Sequence, residues 1–177
     1  MKHLSLSLNH GVLAALVNFG LVMAIYLIDI NLMVAWWFSL IALMIVPVFM
    51  FMSGTAARKA DGGVLSFGSG FQVVLITAVV TQFLSALLTW VLYTVIAPEL
   101  PGILTDLVME KTAGVMETFG VPAEIAKTQM EELETTLPES YKLSGLMKNS
   151  GYGLLMWAVV SLIVAAIVKR KPQSDFA

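Results

Sequence analysis

The chain of 177 residues contains no cysteine, so disulfide frameworks, thiolate nucleophiles and cysteine-based metal sites are all excluded. Charge is scarce as well: only 12% of residues are Asp, Glu, Lys or Arg, about half the share found in ordinary soluble domains. There is no basic excess, with 10 Lys and Arg against 12 Asp and Glu, so a nucleic-acid partner is not expected. Histidine occurs only at His3 and His10, and two imidazoles alone do not make a metal site. What the chain does have is apolar surface: 58% hydrophobic residues and a mean hydropathy of +0.87. A soluble domain of about 150 residues leaves roughly a third of its chain surface exposed. So much apolar surface therefore needs a lipid bilayer as partner.

A helix needs about 20 mostly apolar residues to cross a hydrocarbon core about 30 Å thick. Four stretches qualify, at 9–28, 32–52, 71–97 and 149–168, and none contains an internal Lys, Arg, Asp or Glu. The third is the longest and is expected to tilt or protrude. Tyr26, Trp36, Trp37, Trp90, Tyr93 and Tyr152 lie near span ends, where amphipathic rings favour the interface. The first stretch is too long for the core of a signal peptide, usually about 7–15 residues, and is expected to be retained as a span. The expected fold is all-α: a polytopic integral membrane protein with a single membrane domain over 1–177.

Orientation follows from Lys and Arg. Lys2, Arg58, Lys59, Lys169, Arg170 and Lys171 fall on one side, whereas the connection at 98–148 dilutes Lys111, Lys127, Lys142 and Lys148 among nine carboxylates. Both termini, including a tail at 169–177, are expected in the cytoplasm and the long connection outside. The net charge of −2 then divides into +4 on the cytoplasmic side, −5 in the long connection and −1 at Asp29.

The segment 98–148 reads as a helical hairpin. Leu100, Ile103, Leu104, Leu107, Val108, Val115 and Phe119 keep helical spacing, Gly120 supplies a stop and Pro122 suits a first helical position. Ile125, Met130, Leu133 and Leu137 mark a second stripe as far as Pro138. These faces are expected to cover each other or the span ends, with a membrane or periplasmic protein partner as the other candidate. In the turn Asp61-Gly62-Gly63-Val64-Leu65-Ser66-Phe67-Gly68-Ser69-Gly70-Phe71, Val73 stands where a dinucleotide loop needs its third glycine. The glycines there serve conformation, not phosphate.

Polar residues at bilayer depth are the candidate site. Asn18 and Gln82 fall at similar depth on spans that run in the same direction, and they are expected to bond each other or to contact a solute. Thr77, Thr81, Ser85 and Thr89 recur every four residues on the third span, as a face for close packing or for a pore. On the fourth span Gly151, Ala158 and Ala165 recur every seven residues, the spacing of a left-handed helix seam. Pro47 removes one helix hydrogen bond from the second span. No base stands near a nucleophile and no carboxylate lies inside a span, so neither catalysis nor a bound cofactor is expected.

Taken together, the cytoplasmic Gly62-Gly63-Val64-Leu65-Ser66-Phe67-Gly68 turn leading into Phe71-Gln72, the outer Met116-Glu117, Gly120-Val121-Pro122 and Glu124-Ile125 pieces, and the closing Lys169-Arg170-Lys171 resemble the family "domain of unknown function 4199". The resemblance covers nearly the whole chain, although Ser69-Gly70 stand where that family is expected to carry a charged or larger pair. It implies a small protein of a bacterial inner membrane and lends no activity. The leading expectation is a non-enzymatic, structural or accessory protein that packs with itself, as a homo-oligomer, or with a partner. The alternative is an oligomeric transporter or channel for a small neutral solute, lined by Asn18, Gln82 and the third-span hydroxyls.

Overall fold

A computed structural model of the chain describes residues 3–170. The charges expected at Lys2, Lys171 and Asp175 lie outside the described residues, as does the tail from 171 onward. Six α-helices account for most of the rest: α1 Leu4–Ile28, α2 Trp36–Ala60, α3 Phe67–Val91, α4 Leu100–Thr118, α5 Ala123–Ser140 and α6 Leu143–Val168. A wider π-helical turn, Leu92–Ile96, continues α3. Four helices are long and apolar enough to cross a bilayer, with mean hydropathy of 2.0 to 2.3 over their most apolar windows. The chain is thus an all-α, multi-pass membrane protein.

The helices outrun the apolar stretches that mark them, because the backbone ladder continues through polar residues once nucleated. α1 begins at Leu4 instead of 9, α3 at Phe67 and α6 at Leu143, while α2 continues through Pro47 to Ala60. The start of the second span is different. Leu32 lies in a 3₁₀ turn, Ile30–Val34, and α2 begins only at Trp36. Asp29 sets this turn by accepting bonds from the backbone and side chain of Asn31, each at 2.9 Å. The side-chain bond, followed by the backbone bond, holds its carboxyl below the usual range. At the other end of α2, Gly62 and Gly63 turn the chain at φ +68° and +92°. Ser66 then caps α3 by accepting from the Ser69 amide. Gly68, Ser69 and Gly70 are accordingly the first turn of a helix and not a loop.

Within the bundle α3 packs against α1, α2 and α6, and α2 also touches all three other spans. One core cluster joins Met50, Ala57, Leu65, Val73, Val74, Ala78, Val164, Ala165 and Val168. It lies beside the end where the start of α1, the α2–α3 turn and the close of α6 meet. There His3 Nε2 lies 2.9 Å from Asp61 Oδ2, and Leu65 and Arg170 exchange two backbone hydrogen bonds of 3.0 and 2.9 Å. This is the terminus end of the bundle; the opposite one is the hairpin end.

At the hairpin end Leu92, Ala97, Leu100 and Leu104 form a second cluster with Phe19, Val22, Tyr26 and Met33 around it. Tyr93 meets Tyr141 edge to face at 5.4 Å, and burial pushes the Tyr141 phenol up. Helices α4 and α5 form the expected hairpin around Gly120, at φ +64°, but Pro122 precedes the first helical residue and α5 runs past Pro138 to Ser140. Their stripes are only partly covered. Leu100, Leu104 and Met116 are buried, whereas α5 buries no residue and Phe119 at the tip is 79% exposed.

Candidate functional site

The hydroxyl stripe of α3 divides into two parts, for a geometric reason. Four residues advance an α-helix by slightly more than one turn, so a four-residue repeat drifts by about 40° per step. The first two members face neighbouring helices. Thr77 donates to Ser53 Oγ at 2.9 Å and lies 3.0 Å from the Val73 carbonyl and 3.4 Å from the Ser7 carbonyl. Ser53 passes its own proton to the Met50 carbonyl. Thr81 shares its proton between the Thr77 and Gly11 carbonyls, at 2.8 and 3.2 Å. Gly11 permits this approach, because a methyl group there would lie 2.7 Å from Val80 Cβ.

Farther along α3 the stripe rotates into an open-sided cavity of about 210 Å³ lined by residues of all four spans. Asn18 reaches it from α1, Val46 from α2, Thr81, Gln82, Ser85 and Thr89 from α3, and Asn149 and Ser150 from α6. All four spans contribute, and no charged side chain lines the walls. This chamber brings together every polar residue singled out on spans one and three except Thr77, which belongs to the packed layer beside it.

The expected Asn18–Gln82 bond is not formed. Gln82 Oε1 accepts instead from the indole Nε1 of Trp157 at 3.0 Å, across the α3–α6 contact. Gly153 makes room for this pairing, since a methyl group there would stand 3.3 Å from Gln82 Nε2. The amide nitrogen of Gln82 is left to the chamber. Among the described residues, the side chains of Asn18, Thr89 and Asn149 make no hydrogen bond to the protein, and Ser85 Oγ is fully buried without a partner. Polar groups at this depth are costly to leave unpaired unless they line protein cavities that hold water or ligand. The chamber therefore offers two free carboxamides, one amide donor and two hydroxyls to an occupant. Chemically it can accept and donate hydrogen bonds.

On α6 the face buried within the chain also repeats every seven residues, on other positions than Gly151 and Ala158. Ser150, Trp157 and Val164 recur every seven residues in the buried face, as do Ser161 and Val168. Of the series Gly151, Ala158 and Ala165, only Ala165 is in the core; Ala158 is half-buried and Gly151 is exposed, with open space beside it. Sequence reasoning missed Trp157 and Asn149. An indole far from any span end was the available signal, because a buried N–H needs an acceptor. Among the described residues no three His, Cys, Asp or Glu side chains come together.

The family model described as "Protein of unknown function (DUF4199)" matches residues 9–170. No curated protein and no solved structure matches the chain.

Proposed function

The chain belongs to the DUF4199 family, and we propose that it is a non-enzymatic membrane protein whose chamber binds, and passes across the bilayer, a small uncharged solute that both donates and accepts hydrogen bonds. The observation that carries this is Ser85 Oγ, buried without a partner on one uncharged chamber that Asn18, Thr89 and Asn149 also line without protein hydrogen bonds. Packing alone would pair such groups, as it pairs Thr77 and Thr81. A solute with a formal charge would find no counter-ion there.

Thiol accessibility tests the reading. With no native cysteine, Ser85→Cys is the only reactive site in the protein. It is expected to react with a small water-soluble methanethiosulfonate in nanodiscs, whereas Thr77→Cys, 0% exposed in the packed layer, stays unreactive. Equal protection at both positions would show a dry chamber and overturn the proposal.

The topology we propose is a bacterial inner-membrane one, with both termini in the cytoplasm and the acidic hairpin outside. Its support is the grouping of Arg58, Lys59, Lys169 and Arg170 at the terminus end, read with the positive-inside rule. Gly68→Cys, where the added side chain meets open space, is expected to resist an impermeant reagent on intact cells. Thr128→Cys on exposed α5 is expected to react, and the reverse pattern would invert the orientation.

A second, accessory reading rests on the hairpin tip. Val115, Phe119 and Ile125 are 55%, 79% and 50% exposed there, an apolar contact for a second copy or a periplasmic partner. It is compatible with the first.

A further inference from the structure

The chamber meets a packed layer toward one end of the bundle and a groove toward the other. Toward the terminus end Ser7, Met50, Ser53, Val74, Thr77 and Ala78 are each 0% exposed, and their hydroxyls bond one another or backbone carbonyls. The small cavity beyond them, beside His3 and Gln72, shares no wall residue with the chamber. Toward the hairpin end, Asn149 lines both the chamber and a groove of about 350 Å³ between the last turns of α5 and the first turns of α6. The groove walls include Thr135, Thr136, Glu139, Lys148 and Tyr152. Thr89 opens on a different space, but that one is lined mainly by Val22, Met33, Phe38, Tyr93 and Leu104, a poor path for a polar solute.

The joint between α5 and α6 is tightest at Gly145. Gly145, in the first turn of α6, sits so close to the Glu139 carbonyl and the Ser140 backbone that no side chain fits between them. Lys142 pairs with Glu139 across the same turn. The end of α5 therefore rests on α6 directly beside the groove, with no residue of α5 buried to fix it further.

We propose that solute reaches the chamber only from the hairpin end, through the α5–α6 groove and past Asn149, and that the end of α5 is a lid whose seat is Gly145. Asn149 is then the residue that selects what passes, because among the described residues its side chain is the one that lines both the groove and the chamber. This inference rests on the chamber being wet. In this conformation the protein is open to one side alone, as a carrier is and an open channel is not.

The test uses the Ser85→Cys protein in nanodiscs and its labelling rate with the small methanethiosulfonate. Asn149→Trp is expected to slow labelling by about tenfold or more, and Gly145→Ala, which leaves every chamber wall intact, to speed it severalfold by lifting α5 from its seat. Rates unchanged by both substitutions, with Ser85→Cys still reactive, would overturn the route but leave the chamber standing. A Ser85→Cys protein that never reacts would instead sink the chamber itself. Should Asn149→Trp fail to fold, Gly145→Ala and Asn149→Ala, both expected to raise the rate, decide the matter: no acceleration in either overturns the proposal.

Discussion

Gly11→Leu is expected to destabilise the bundle strongly, where Gly20→Leu on the same helix does not. At this position even a methyl group would lie 2.7 and 2.8 Å from Val80 Cβ and Cγ1 and 3.0 Å from the Thr77 carbonyl oxygen. Two of those atoms belong to the stiff branch of a valine and the third to backbone, so α1 must move bodily away from α3. Overpacking of this kind costs about 1–3 kcal/mol. The displacement also strips the Gly11 and Ser7 carbonyls of the Thr81 and Thr77 hydroxyls. Gly20→Leu is the matched control, since nothing lies within 4 Å of a side chain there; it trades backbone freedom for a helix-favouring residue. Unfolding midpoints in a denaturing-detergent titration should fall clearly for Gly11→Leu and stay level or rise for Gly20→Leu. Equal shifts would mean that the α1–α3 contact is not the tight one.

The second large effect belongs to Gln82→Leu, and it is expected on occupancy more than on stability. Interhelical hydrogen bonds inside membranes are worth about 0.6 kcal/mol on average, so losing the Trp157 bond should lower stability only modestly. Trp157 is 4% exposed, however, and its indole N–H has no other acceptor once Gln82 is gone. A double-substitution cycle with Trp157→Phe measures that coupling. In the chamber the change is larger, because leucine removes the free amide donor and lays an apolar chain across the polar wall. Labelling of Ser85→Cys is expected to fall by about tenfold as water leaves. Unchanged labelling would show that Gln82 is glue for α6 and nothing more.

Much of this was legible in the residues, for reasons that differ by element. Four spans follow from uncharged runs near 20 residues long, a pattern that few other structures produce. Their ends did not follow, since helical hydrogen bonding does not stop where apolarity does. Lys148 and Asn149 accordingly sit well inside α6. The polar stripe of α3 was visible as a period, and the period carries depth along the helix. It does not carry azimuth. Asn18 and Gln82 are expected at one level, and both line the chamber, but which neighbour Gln82 bonds depends on how far α6 is rotated. Rotation likewise decides that the face of α6 buried within the chain runs through Ser150 and Trp157 and leaves Gly151 and Ala158 toward its outside. The hairpin was readable from Gly120 and its flanking stripes, whereas the resting of α5 on Gly145 depends on a contact that no local pattern announces.

The paired backbones of Leu65 and Arg170 bear on how such a chain is made. Spans enter a membrane in order, and the last has few neighbours to tell it which way to point. Leu65 is 2% exposed, so its N–H and C=O are satisfied only when residue 170 arrives on the same side as the α2–α3 turn. The bridge thus marks the side on which α6 must end in the finished fold. It ties the end of the last span to the turn between α2 and α3.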